Sequence, residues 1–363
     1  MKNVYLLLIL TSVIGSFSFY FAHKGKTGVY IATYKDGKTG AYSLIHDDFG
    51  AGYAHGIEDY ADSIAYNRGI PISFAVIAGE CGKEDWNKAK EMIQHGHQVL
   101  NHTMKHKCGQ ANNWCSFGNW DEKDFDVEID SSTSLIEKNT GKHPAFFIFP
   151  FDLFTDTMVA YLKHKHYAGA RAGQQNLVHE SSIEDPFRLN FTVFRPEQDA
   201  SVLNSFANEA VQKKSWAIRV VHGVNDESWA SISLSDYRAH LDYLKKLSNT
   251  HSLWVANLSD VVLYSILRER YAAVVAESDD KERVTKINFA LKAMSSTNLH
   301  HPTFKQVQAT SSLKELTVVI VQDDLTIADI RQGGKKLSYK IREGKLLIEA
   351  GPLLGPVIVS YKQ

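Results

Sequence analysis

The stretch that decides the fold is Ala41-Tyr42-Ser43-Leu44-Ile45-His46-Asp47-Asp48-Phe49-Gly50, a short apolar run that ends in two adjacent carboxylates and a glycine. The run is too short for a helix and stops at turn-forming residues, so it reads as a buried strand. A helical period follows over 57–68, and another apolar run over 71–77. That order repeats down the chain. Candidate strands cover 41–45, 71–77, 98–100, 145–149, 167–170, 217–221 and 253–256, with candidate helices at 57–68, 83–94, 124–139, 155–165, 201–214, 235–248 and 259–270. Parallel neighbours need crossovers of about this length, so the expected class is α/β, a distorted, incomplete barrel with seven or so parallel strands. A doubly wound open sheet would give a similar alternation.

Outward from this core, the chain changes character at both ends. Lys2 precedes an uncharged apolar run, Val4 to Ala22, that is closed by His23, Lys24 and Lys26. It reads as an export signal over 1–22, with Ser16 and Ser18 offering a small-x-small cleavage site. Left uncleaved, the run is long enough to anchor the chain in a bilayer. The expected location is therefore secreted or periplasmic, or membrane-anchored. A catalytic domain is expected over 23–276. Beyond Ala276 comes a charged linker, Glu277 through Arg283, and then period-two runs over 316–321, 337–341, 345–349 and 356–361, punctuated by Gly333, Gly334 and Gly344. These predict a small C-terminal all-β, sandwich-like domain over 277–363.

Composition narrows the classes further. With 363 residues, 44% of them hydrophobic, the chain can bury one large core and a smaller second one. Forty basic residues against 41 acidic ones give a formal charge of -1, which leaves no field to recruit nucleic acid. Of the three cysteines, Cys108 and Cys115 flank a short loop and are the candidate disulfide pair, leaving Cys81.

Three features could carry chemistry. Asp47 and Asp48 end a strand, where parallel α/β folds place their sites, and adjacent carboxylates call for a cation or a shared proton. His102 and His106 follow the strand ending at Leu100, and two imidazoles four apart on a helical turn can reach one ion. His222, after Val220-Val221, ends a late strand and suits a general acid.

In this joint order the motifs resemble the polysaccharide deacetylase family of carbohydrate esterases, whose catalytic domain is a distorted parallel barrel. Its Asp-Asp motif is similar to Asp47-Asp48, its His-[Ser/Thr]-x-x-His motif to His102 through His106, and its late strand-end His to His222. Gly96-His97-Gln98-Val99 resembles the family's lead-in to the His pair. The match runs from about Ala41 to Arg270. The resemblance implies that Asp48, His102 and His106 hold a divalent ion, most often Zn2+, with Asp47 as general base and His222 as the acid that protonates the leaving amine. The implied partner is an N-acetylated polysaccharide or oligosaccharide; neither nucleic acid nor a protein partner is implied.

The departures from the family pattern are informative. Ile45-His46 precedes the Asp pair where the family has Thr-Phe, so His46 is open to a ligand or hydrogen-bonding role. Ile148-Phe149-Pro150-Phe151 stands for Arg-x-Pro-[Tyr/Phe], so the Arg that orients the catalytic Asp is missing. The best substitute is Arg171, which follows the strand 167–170 and so faces the same end of the barrel; Arg195 and Arg219 are weaker candidates. No Asp-x-x-Asp-Trp element precedes His222. Phe151 and Trp216 are the candidate substrate-contacting aromatics. Rival readings are an O-acetyl esterase acting on glycans and a non-catalytic carbohydrate-binding protein that kept the fold.

Overall fold

The computed structural model of the protein describes residues 28–109, 119–279, 283–292, 308–311, 313–322 and 326–362. The segment read as an export signal or anchor and Cys115 lie outside the described residues. Among the described residues no helix is long and apolar enough to cross a membrane.

In chain order the strands are β1 (Gly28–Ile31), β2 (Gly40–Phe49), β3 (Ser73–Val76), β4 (Gln98–Asn101), β5 (Phe146–Ile148), β6 (Gly169–Arg171), β7 (Thr192–Val193), β8 (Trp216–Val221) and β9 (Leu253–Val255), then β10 (Tyr271–Asp279), β11 (Val284–Leu291), β12 (Leu316–Val321), β13 (Ile327–Gln332), β14 (Lys335–Lys336), β15 (Tyr339–Arg342), β16 (Lys345–Ala350) and β17 (Val357–Tyr361). The helices are α1 (Asp62–Tyr66), α2 (Lys83–Gln94), α3 (Glu122–Phe125), α4 (Ser132–Thr140), α5 (Asp156–His164), α6 (Ala200–Gln212), α7 (Leu234–Asn249) and α8 (Leu258–Arg270), with π-helical turns Ile57–Ala61 and Asp126–Ser131 leading into α1 and α4.

The largest sheet runs β6-β5-β4-β3-β2-β8-β7, with β9 added against β2. Its ladders are all parallel, so the expected α/β half-barrel is what the chain forms. The gap between the edge strands is bridged by the segment 186–191, through Ala170 N–H to Pro186 O, Leu189 N–H to Ala170 O and Phe191 N–H to Gln174 O. β2 is buried along all ten residues because the sheet is covered on both faces. Tyr42 and Leu44 join the helix-side core with Leu203 of α6 and Leu241 of α7. Ala41 and Ile45 point the other way, into a core with Ile148, Ile218 and Val220. The period-two alternation thus assigns each β2 side chain to a face.

The C-terminal module packs two antiparallel sheets, β1-β12-β16-β15 and β10-β11-β17-β13-β14, around Ile287, Val318, Ile320, Ile348 and Val359. Its boundaries differ from the sequence-based ones. β1 pairs with β12, with Gly28 opposite Val321, so the module begins before the strands of the parallel sheet do. The charged segment expected to be a linker is strand β10 as far as Asp279, zipped to β11 from Tyr271↔Leu291 onward. Most of β10 is exposed, so no alternating apolar pattern marks it; the hairpin satisfies its backbone without burying its side chains. Helix α8 is buried on nearly every side, its side chains packing in one core with Ile218 of β8 and Leu316 of β12, and the Tyr264 hydroxyl donates to Ala32 O at 3.0 Å.

Candidate active site

The site forms where β2 stops alternating. Asp47 continues the inward face of Ala41, Ser43 and Ile45. The β2–β3 register shifts between His46 and Phe49, and Asp48 adopts φ 69°, so its carboxylate turns toward the mouth instead of the helices. Both carboxylates are buried, at 3% and 5% exposure.

Arg171, at the end of β6, places a two-pronged fork on Asp47: Nη1 donates to Oδ1 at 2.8 Å and Nη2 to Oδ2 at 2.6 Å. The geometry sought for Arg171 in place of the missing family Arg is therefore present. Its remaining donors go to Asp152, with Nε and Nη2 at 3.1 and 2.8 Å from Oδ1. Arg195 and Arg219 do not take this place; Arg219 donates to Gln198 instead. Burial alone would raise the Asp47 carboxyl, but the Arg171 charge and then His102 hold it below the usual range. Asp152 is lifted instead by burial, which Arg171 offsets only in part while Asp47 adds to it. A guanidinium shared by the buried Asp47 and the half-buried Asp152 supplies both charge and fixed geometry.

Asp48, His102 and His106 converge, their ligand atoms all within 4.8 Å of one another. His102 Nε2 and His106 Nε2 lie 3.3 and 3.4 Å from Asp48 Oδ1, an atom that is buried and without a hydrogen bond. His102 Nδ1 donates to Ile148 O at 2.9 Å, which leaves the lone pair on Nε2. The His pair is not on a helical turn, as its spacing suggested. Glu128, from the π-turn before α4, accepts the Met104 and Lys105 amides at 3.0 and 2.9 Å, and Thr103 and His106 take positive φ of 73° and 54°. Such backbone costs about 1–3 kcal/mol per residue and collects where geometry is over-determined. Burial pushes His106 down to about 4, whereas for His102 the adjacent Asp48 and Asp47 carboxylates outweigh burial and raise it. Two imidazoles and an orphaned carboxylate oxygen aimed at one point fit a divalent cation with open positions, and the raised His102 expresses the same demand for positive charge.

His222 follows β8, its ring edge-on to Trp229 with centroids 5.2 Å apart. Its Nδ1 is buried with no partner among the described residues, in line with the absent Asp-x-x-Asp-Trp element. His46, on the helix side of β2, is not a ligand: Nδ1 donates to His222 O at 2.7 Å and Nε2 meets the Tyr237 hydroxyl at 2.9 Å. Burial pushes it down to about 4, so it stays neutral. Phe151, at φ 57°, is 51% exposed with its ring 4.8 Å from His106. Trp216 is a correction. It begins β8 at the opposite end of the sheet, is 1% exposed, and spends its indole N–H on Ser43 Oγ at 3.1 Å. Sequence reading missed Asp152, Glu128 and Trp229; of these only Asp152, beside the Pro150-Phe151 motif, carried a local signal.

A second cluster, Asp62 with His95 and His97, also has metal-like spacing. His97 Nδ1 accepts the Ile72 amide at 3.2 Å, which puts its proton on Nε2, and the Lys88 ammonium lies 2.6 Å from Asp62. This cluster is a structural brace. Cys108 is disulfide-bonded and Cys81 is a free thiol.

The site is thus a carboxylate and imidazole cluster with a candidate metal centre, set at the C-terminal mouth of a parallel half-barrel. Residues 43–170 match the family model of the polysaccharide deacetylases. The chain is 26% identical over 359 residues to a gellan lyase from a Bacillus species, across 91% of this chain and 13% of that protein, so it spans a small part of that relative's length. Among solved structures it is similar to a family 4 acetyl xylan esterase from Clostridium thermocellum in complex with a cobalt ion, at 15% identity and TM-score 0.41, covering 61% of this chain and 89% of that one. It is also similar to the Xyl-CE4 domain of a multidomain xylanase from the hindgut metagenome of Trinervitermes trinervoides, at 15% identity and TM-score 0.40, covering 60% and 87%.

Proposed function

We propose that the protein hydrolyses N-acetyl groups from amino sugars of a polysaccharide or oligosaccharide, releasing acetate. The observation that carries this reading is the pairing of two unlike carboxylates: Asp47 in the Arg171 fork, and Asp48 with an open oxygen facing two imidazoles. Asp47 is kept ionised and aimed, and its lone pairs not used by Arg171 can take the proton of an attacking water. A divalent cation held by Asp48, His102 and His106, Zn2+ by the donor set, would supply polarisation of the acetyl carbonyl and stabilisation of the developing oxyanion. His222, tethered through its carbonyl to His46, delivers a proton to the departing nitrogen. The buried walls limit water to the mouth.

One observation favours O-acetyl groups as a second reading. No described side chain orients His222 Nδ1, and an ester asks less of a proton donor than an amide does. Acetate release from N-acetylated and from O-acetylated oligosaccharides, measured side by side with and without added Zn2+, separates the two. No release from either substrate in the ion-loaded protein refutes both.

A further inference from the structure

The sheet β1-β12-β16-β15 turns one face to the sandwich core, and its register sets what the other face carries. Tyr30, Val319, Leu347 and Lys340 stand in one cross-strand row, and Val321, Lys345 and Arg342 in another. Residues two apart on a strand share a face, so both rows point the same way. The residues between them, Ile320 and Ile348 among them, fill the module's core. The turn Lys35–Gly37 comes up to the outer face, where the Asp36 carboxylate accepts from Lys340 Nζ at 2.7 Å and the Asp36 carbonyl from Arg342 Nη1 at 2.9 Å. Beside this turn lies an open hollow of about 240 Å³. Ala32, Val319 and Leu347, packed together, line its base, and Tyr30, 45% exposed, stands at its rim. Among the described residues its walls carry four cations, Lys38, Lys214, Arg342 and Lys345, against one acid, Glu343. The whole chain has a formal charge of -1, so this excess is local. Lys214 and Lys345 have no acidic partner among the described residues.

Burial, with the Arg342 and Lys340 charges, holds the Lys38 ammonium below the usual lysine range although Asp36 opposes them, so the hollow is short of negative charge. An aromatic rim and an apolar base suit the C–H face of a pyranose ring, and the cationic donors beside them suit a carboxylate on that same ring. A phosphate chain would use the cations but leave the aromatic and aliphatic surface wet. We propose that this hollow is a second binding site, one that takes an acidic sugar residue, a uronate, of a polysaccharide chain. Lys38 and Lys214 lie just before β2 and β8, so the hollow sits at the N-terminal end of the parallel sheet, opposite the mouth that holds Asp47 and Asp48. A chain gripped there is tethered without filling the candidate active site. The proposal does not rest on the deacetylase reading.

The test titrates the full chain calorimetrically with an oligogalacturonate, a neutral xylo-oligosaccharide of the same length, inorganic phosphate and a single-stranded oligodeoxynucleotide. The oligogalacturonate should bind about 10-fold more tightly than the neutral chain, and its affinity should fall as salt is raised. Lys214 is exposed and Lys345 half-buried, so charge reversal at either leaves the core untouched. Lys214→Glu and Lys345→Glu should each weaken the oligogalacturonate about 3- to 10-fold. Tyr30→Ala should cost a similar factor, and Tyr30→Phe should keep most of the affinity. Failure of the wild type to bind the oligogalacturonate, equal binding of the neutral chain, or affinity that survives both charge reversals would overturn the proposal. So would a loss confined to the lysine variants with Tyr30→Ala unaffected, or phosphate or the oligonucleotide binding as tightly as the uronate, since either outcome reduces the hollow to a general anion patch. Selective uronate binding in a protein that releases no acetate would uphold this site and leave only the proposed reaction refuted.

Discussion

Replacing Arg171 with methionine tests the site most directly. The guanidinium is 2% exposed and is the shared donor to Asp47 and Asp152. Methionine fills much of its volume but leaves the buried Asp47 and the half-buried Asp152 without their counter-charge. Removing one partner of a buried ion pair typically costs about 3–5 kcal/mol. The sign follows from Asp47, whose folded carboxyl now lies below its unfolded value. In the wild type its stabilisation is present above the unfolded pKa of about 3.9 and is lost as pH falls through the folded value. Without Arg171 the burial contribution, which raises the carboxyl, prevails, so the mutant's deficit is small only below the wild-type folded value and grows as pH rises toward the raised value of the mutant. Urea unfolding at pH 4 and pH 7 reads that difference. In kinetics the acidic limb of the kcat/KM profile should move to higher pH, and turnover at neutral pH should fall about 10²-fold as the base loses its aim. Zn2+ content should be retained, since Arg171 touches none of the three candidate ligands. Arg171→Lys, with the charge but not the fork, should fall between the two proteins. An unmoved acidic limb, or a stability deficit equal at both pH values, would refute the reasoning.

Further outcomes follow from the same geometry. Asp48→Ala and His102→Ala should each lose Zn2+ in a chelator competition, since three donors fall to two; undiminished affinity in either would remove that residue from the ligand set. Asp47→Asn should hold Zn2+ but release acetate about 10²–10⁴-fold more slowly, because an amide takes no proton from water, and near-normal turnover would place the base elsewhere. Asp62→Asn should destabilise the fold by about 3 kcal/mol at pH 7, because it deprives Lys88 of its buried counter-charge. Since partners hold the Asp62 carboxyl below its usual range against burial, that deficit should shrink as pH falls below about 3.9. Equal thermal shifts at pH 7 and pH 3 would contradict it.

How much of this was legible in the sequence depended on whether the signal was local. The parallel core was, because a buried strand and an amphipathic helix each write their period into consecutive residues; α2 spans Lys83–Gln94 as its pattern indicates. Asp47 and Asp48 were legible as carboxylates at a strand end, where parallel α/β folds place their sites. Arg171 could be found because strand ends in a parallel barrel share one rim, so a residue just past an apolar run points to the same mouth. His102 and His106 were found by spacing, although the spacing argument assumed a helical turn and the structure brings them together by left-handed backbone held against Glu128.

What only the tertiary structure decided is partnership between distant segments. Trp216 and Trp229 are the same residue type thirteen positions apart, yet one is sealed by Ser43 and the β2 ladder while the other projects beside His222. Gly28–Ile31 carries no mark that its partner is Leu316–Val321, since backbone hydrogen bonds are alike for every residue type. His46 received its role from the Tyr237 hydroxyl and the His222 carbonyl, both supplied by segments far along the chain. The chain's own pattern therefore determined the elements, their order and the rim on which the reactive groups gather. The register shift at Asp48, the fork between Asp47 and Asp152, and the choice of which aromatics face solvent were settled by packing, because each depends on atoms that meet only when the sheet has closed.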